Sequence, residues 1–308
     1  MRFLRFTPIY QERVWGGQGF STYLGRTIPA APIGESWEVC DRPEAPSVVA
    51  DGPEKGKSLR ELIAQKTAWV MGPKWNPARP FPILVKWLDA VQRLSLQVHP
   101  PAAIAPQLGG EPKTEAWYVA HAEPHAALIS GLKKGVTREQ FEKSLADNSA
   151  EQLVHRFSVR DGDSTFTPSG RIHAIDAGCL ILEIQQNSDT TYRVYDWGRP
   201  RQLHIAESMQ CIDFNDYEPS FISHSQGTVT VADCAEFRIR AFLLQPGEKL
   251  PALPEGEPAL LGMVEGKLVE ADGSAIQKGD NVLLPAGEKF SFTAQTPVRV
   301  LVTDHFAG

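Results

Sequence analysis

Three short segments carry side chains able to hold a metal ion. In Leu94-Ser95-Leu96-Gln97-Val98-His99-Pro100, an extended backbone sends alternate side chains to opposite faces. Leu94, Leu96 and Val98 then pack one way, and Ser95, Gln97 and His99 point the other. Lys113-Thr114-Glu115 follows shortly and brings a carboxylate on a nearby strand. His173, in Pro168-Ser169-Gly170-Arg171-Ile172-His173-Ala174, lies far downstream and closes the set. Imidazole and carboxylate donors suit zinc, iron, manganese or nickel, and a glutamine carbonyl oxygen is a weaker oxygen ligand. Gln97, His99, Glu115 and His173 would leave coordination positions open for water or substrate, as a catalytic site needs and a structural site lacks. The remaining histidines His121, His125, His155, His204 and His224 stand in no comparable setting.

The elements that must position these residues read as strands. Gly (25) and Pro (24) punctuate many short apolar segments, a β-rich pattern with frequent turns. Strands are predicted over 81–88, 94–98, 115–120, 172–175, 180–185, 191–195, 227–234, 237–244, 259–265, 281–284 and 298–303. Their spacing, without helices between most of them, points to an all-β sandwich or barrel. Capping boxes at Ser58-Leu59-Arg60-Glu61, Thr137-Arg138-Glu139-Gln140 and Ser149-Ala150-Glu151-Gln152 predict short helices. Val136 and Phe141 would staple the second. A small helical insertion over about 133–157 would account for the distance in sequence between His173 and its partners. A boundary is predicted near residue 220: 1–220 with the candidate site, and 221–308 as a compact β unit without a His/Glu constellation.

The bulk properties are those of an ordinary globular chain. It has 308 residues, 42% apolar and 22% charged. The net charge of −6 gives no broad attraction to nucleic acid. No apolar run approaches the roughly 20 residues that span a bilayer, and the N-terminus does not read as a secretory signal. Cys40, Cys179, Cys211 and Cys234 are scattered with no CxxC pair, so a thiolate zinc site is not expected. A cytoplasmic protein follows from these features.

Taken together, Ser95-Leu96-Gln97-Val98-His99-Pro100, Lys113-Thr114-Glu115 and Gly170-Arg171-Ile172-His173-Ala174 resemble the signatures of type I mannose-6-phosphate isomerases of the cupin superfamily, in their short bacterial form. Val14-Trp15-Gly16-Gly17, Gly34-Glu35-Ser36-Trp37-Glu38 and Asn187-Ser188-Asp189-Thr190-Thr191-Tyr192-Arg193-Val194-Tyr195-Asp196-Trp197 agree. The resemblance implies two cupin-like jelly-roll β-sandwich units with a small α-helical insertion, the second unit without metal. It implies one Zn²⁺ per chain held by Gln97, His99, Glu115 and His173, with Arg193 as the active-site arginine.

The activity so implied interconverts mannose 6-phosphate and fructose 6-phosphate through an enediolate. Arg193, on the 191–195 strand with Thr191 and Tyr195 on the same face, would bind enediolate or phosphate oxygens. Lys113 would bind phosphate or shuttle a proton. Glu183, an acid in an apolar strand, reads either as a general base whose pKa burial raises or as half of a structural ion pair, with Arg193 as the candidate partner. Trp15 and Lys86 are candidate substrate contacts. The competing readings are another cupin metalloenzyme and a non-catalytic sugar-binding cupin. The partner expected is a small-molecule sugar phosphate, with no nucleic acid and no membrane; the sequence leaves oligomeric state open.

Overall fold

The computed structural model describes residues 3–307. Its centre is a pair of facing antiparallel sheets. One has seven strands in the order 222–223, 163–167, 115–122, 179–186, 83–90, 33–39, 9–17. The other has five, in the order 154–158, 127–132, 173–175, 96–98, 192–195. Between them lies a cluster that joins Trp15, Leu88, Trp117, Val119 and Ile181 from the larger sheet to Leu128 and Ile175 from the smaller.

The alternation of side chains explains how each strand serves two layers. On Cys179–Gln186, Leu180, Leu182 and Ile184 enter one core, while Glu183 faces the interior of the sandwich. On Ile83–Ala90, Val85 and Trp87 join that same core, while Lys86 and Leu88 face the interior. A third, six-stranded sheet built from 4–5, 281–284, 259–265, 298–304, 238–244 and 228–233 packs on the outer face of the seven-stranded sheet. Its Ile239, Leu260 and Leu301 share a cluster with Trp87, Tyr118 and Leu182. A small sheet of 275–277, 267–270 and 292–294 closes a last core with the far face of the third sheet.

Helices cover the outer face of the five-stranded sheet. Arg138–Ala146 is opened by the predicted capping box of Thr137 and Gln140, and the staple pair Val136 and Phe141 is buried in the cluster beneath it. Ser58 and Glu61 form the other box, opening Leu59–Gln65. The third box does not form. Residues 150–153 make only a 3₁₀ turn with no side-chain cap, because the Ser149 hydroxyl donates to Asp147 instead. The helical excursion stops there, and Val154–Ser158 is already the edge strand of the five-stranded sheet.

Strands Ile9–Gly17 and Ile33–Val39 went unpredicted because polar residues (Gln11-Glu12-Arg13, Glu35-Ser36) and glycines (Gly16, Gly17, Gly34) break their apolar patterns. Those glycines are needed for contact: a Cβ on Gly16 would sit 2.2 Å from the Gly34 nitrogen.

Candidate active site

The metal-capable group is His99, Glu115 and His173, whose ligand atoms all lie within 4.8 Å of one another. Two sheets supply them. His99 follows the Leu96–Val98 strand and His173 opens its own strand in the five-stranded sheet, whereas Glu115 is the first residue of Glu115–Ala122 in the seven-stranded sheet. All three are buried. Each imidazole is oriented by its Nδ1, which lies 2.9 Å from the Thr190 carbonyl in His99 and 2.8 Å from the Arg171 carbonyl in His173. A carbonyl only accepts, so both Nδ1 atoms carry the proton and both Nε2 lone pairs face inward.

These inward atoms lack partners. The Nε2 atoms of His99 and His173 are each 3.4 Å from a Glu115 oxygen. Neither they nor the two Glu115 oxygens have a hydrogen bond of acceptable geometry, although Lys113 Nζ forms an ion pair with Glu115 Oε2 at 2.9 Å. Orphaned buried polar atoms are costly, and four of them converging on one point fit a divalent cation. The electrostatics agree. Burial, reinforced by Lys113, drives His99 down to about 3, and burial lowers His173, so both rings are neutral ligands. Burial by itself would raise Glu115, but the charge of Lys113 outweighs it and holds the group well below the usual carboxylate range.

Beside this centre opens a cavity of about 330 Å³, and six other sequence candidates line it: Trp15, Lys86, Gln97, Lys113, Glu183 and Arg193. Gln97 stands directly opposite both His173 and Arg193 in the strand register. Glu183 accepts a hydrogen bond from Trp117 Nε1 at 2.8 Å and faces Lys86 Nζ at 3.7 Å; its cationic neighbour is Lys86, not Arg193. Burial and the nearby Glu115 charge push Glu183 up to about 7.

Arg193 has no carboxylate partner among the described residues. Its Nη1 donates to the Gln202 carbonyl at 2.7 Å and its buried Nε is unsatisfied. Burial and the charge of Arg201 lower its pKa. His204, which the sequence left without a role, clasps the same strand: its Nδ1 accepts from the Arg193 N–H and its N–H donates to the Arg193 carbonyl. Thr191 lines the cavity with Arg193 but Tyr195 does not, because the pairing register shifts between Arg193 and Tyr195.

Several cavity residues were not legible as such. Arg13 and Glu35 form an ion pair at 3.0 Å, and Glu35 and Asp189 share Lys86 at 3.8 and 3.9 Å. Arg201 lines the cavity from a turn in which Asp196 accepts from both Arg199 and Arg201. The available signals were Glu35 within Gly34-Glu35-Ser36-Trp37-Glu38 and Asp189 within the segment that runs from Asn187 to Trp197.

A His-Glu-His set between the faces of an antiparallel sandwich, beside a charged cavity, defines a cupin with a metal-capable centre. A family model described as phosphomannose isomerase type I, catalytic domain, matches residues 3–110. Mannose-6-phosphate isomerase ManA of Bacillus subtilis (strain 168) is 35% identical over 301 aligned residues, covering 92% of this chain and 93% of its own. The crystal structure of the mannose 6-phosphate isomerase from Bacillus subtilis matches with a TM-score of 0.87 at 30% identity, over 98% of this chain and 99% of that one. A zinc-bound mannose 6-phosphate isomerase shares the fold with a TM-score of 0.79 at 16% identity, over 99% of each chain. The chain belongs to the mannose-6-phosphate isomerase family, type I.

Proposed function

We propose that this protein is a zinc-dependent aldose–ketose isomerase that interconverts mannose 6-phosphate and fructose 6-phosphate. The observation that carries the reading is the set of orphaned ligand atoms on His99, Glu115 and His173 beside a cavity lined by an arginine that no carboxylate neutralises among the described residues. His99, Glu115 and His173 would hold the ion, with Gln97 as the fourth ligand. Zinc, when bound, supplies a Lewis acid that polarises a carbonyl and offsets charge developing on its oxygen.

The rest of the chemistry falls to side chains of the chain. Glu183 takes the proton from the carbon next to the carbonyl and returns it to the neighbouring carbon, a role suited to a buried acid near neutral pKa. Lys113 stays protonated, since attraction to Glu115 outweighs the burial that would lower it. Its remaining N–H groups can donate to a sugar oxygen. Arg193 binds anionic oxygen, because a guanidinium anchored by one carbonyl and free of carboxylates has donors to spare. Trp15 and Lys86 bound the substrate on the side of the seven-stranded sheet.

We assign catalysis to residues 1–220, which contain the metal-capable group and every cavity-lining residue, and no metal role to 221–308. We place the protein in the cytoplasm. No helix of the described residues is long and apolar enough to cross a membrane. The four cysteines are unpaired, as suits a reducing compartment.

The test combines metal removal with two substitutions. Chelation should abolish isomerisation of mannose 6-phosphate and added Zn²⁺ should restore it. His173→Ala should lose both bound zinc and turnover. Arg193→Ala should keep zinc while kcat falls by roughly 10²-fold or more. Full turnover by the metal-free protein would reject the metal's role, and parental turnover by Arg193→Ala would reject that of the arginine.

A further inference from the structure

We propose that Asp89 is a positioning residue for substrate binding: it clips the Trp15–Gly19 turn onto the end of a central strand and so fixes Trp15 as a wall of the cavity. This rests on the assignment of Trp15 to the substrate wall made above.

Asp89 is the penultimate residue of Ile83–Ala90 and is 4% exposed. Lys86 and Leu88 on that strand face the cavity, so Asp89 lies on the opposite face. There its Oδ2 accepts the Gly19 N–H at 2.6 Å, and the Gly17 N–H lies on the same carboxylate. A second grip falls at Trp15 itself, just beyond the end of the strand: the Trp15 carbonyl accepts the N–H groups of Val91 and Gln92, both at 3.1 Å. Trp15 is thus held by main-chain bonds through its carbonyl and, two and four residues on, by Asp89.

The fit is tight. A Cβ on Gly19 would lie 2.5 Å from Asp89 Oδ1, and one on Gly17 would lie 2.9 Å from Oδ2. The carboxylate occupies the space those glycines leave. Among the described residues no lysine or arginine offsets its charge. Burying a carboxylate without a cation is costly, so packing alone does not account for an acid at this position. What a carboxylate adds is a pair of acceptors that select one conformation of the turn. That conformation sets the indole, which is 4% exposed, packs with Leu88 and Leu94 and lines the cavity. Asp89 touches neither the metal-capable group nor the cavity, so its effect on the reaction passes through Trp15.

The zinc-loaded full-length protein is assayed as Asp89→Asn, Asp89→Ala and Gly19→Ala, each alone and combined with Trp15→Ala. Each single variant should raise KM for mannose 6-phosphate roughly five-fold, with kcat and zinc content within about two-fold of the parent. In the Trp15→Ala background the same changes should no longer move KM. An unchanged KM in a folded Asp89→Asn or Gly19→Ala protein overturns the proposal, and so does an equal rise in both backgrounds. If Trp15→Ala alone leaves KM unaltered, the wall assignment falls and the proposal with it. Should Asp89→Ala fail to fold, the other two variants carry the comparison. Amide hydrogen exchange at Gly17 and Gly19 reads the clip without reference to activity: it should quicken roughly ten-fold in Asp89→Asn, and unchanged exchange overturns the clip. A parent with those amides protected but no turnover of mannose 6-phosphate would instead sink the functional reading while leaving the clip in place.

Discussion

At the scale of single residues, the site is organised by one lysine between two acids of opposite behaviour. Lys86 lies within 3.8 Å of both Glu35 and Glu183. Burial opposes ionisation of each. In Glu35 the charges of Lys86 and Arg13, with the Trp37 N–H, overcome burial and hold the group at about 2. In Glu183 burial and the charge of Glu115 win, and it stands at about 7. A folded value below the ordinary 4.5 of Glu35 means that its contribution to stability is present above that pH and fades as the pH falls towards 2. That span corresponds to roughly 3 kcal/mol at neutral pH. Between pH 7 and about pH 3.5, therefore, the parent should lose about 1 kcal/mol more unfolding free energy than Glu35→Gln. Urea melts of both proteins at the two pH values check this, and equal losses would show that Glu35 is not held down. Residue types made His99, Glu115, His173 and Glu183 legible, since each is a titratable group in a setting that has few others. Glu35 and Arg13 were not, because their roles come from pairing between two strands whose polar residues and glycines break the apolar pattern.

At the scale of elements, the same motif can succeed or fail according to its flanks. Ser58 and Ser149 both stand three residues before an acid or amide, yet only Ser58 caps. Its hydroxyl accepts the Glu61 N–H at 3.2 Å and the Glu61 carboxylate accepts the Ser58 N–H at 2.7 Å. Before Ser149, Asn148 takes a φ of +61°, and Asp147 accepts from both the N–H and the hydroxyl of Ser149. The turn has captured the group that would have capped a helix. Ser58→Ala should accordingly cost about 1 kcal/mol. Ser149→Ala should cost less, since Asp147 keeps the backbone N–H. Thermal melts of the two variants in parallel separate the cases, and equal losses would refute the distinction. The strands were legible where a short apolar run is bounded by glycine or proline, as at Ala259–Glu265 between Pro258 and Gly266 and at Asn281–Leu284 between Gly279 and Pro285. A register shift is not written in alternation, which is why Tyr195 was expected beside Arg193 and is turned away.

At the scale of the whole molecule, the chain crosses the division that its local patterns suggest. Leu4–Arg5 pairs with the Asn281–Leu284 strand, so the N-terminal segment helps build the sheet made otherwise from residues 228–304. Conversely, Ile222–Ser223 pairs with Asp163–Thr167 at the edge of the seven-stranded sheet. Local patterning marks where strands begin and end but carries no label for the partner, and pairings this distant in sequence escape it. The consequence is energetic. Trp87, Tyr118 and Leu182, on the back of the sheet that holds Lys86 and Glu183, are covered by Ile239, Leu260 and Leu301. Exposing side chains of that size costs about 1.5–3 kcal/mol each, so neither half keeps its sheet dry without the other. Unfolding should then be a single cooperative transition of the zinc-loaded protein. Trp87 lies under the third sheet and Trp69 donates to Glu288, so tryptophan fluorescence reports both parts; hydrogen exchange at Ala127–Leu132 reports the sandwich that contains the site. Hydrogen exchange at Ala259–Glu265 reports the third sheet independently. The two sets of amides should share one urea midpoint, whereas early release of the 259–265 amides with those of 127–132 still protected would show two bodies in contact, each stable alone.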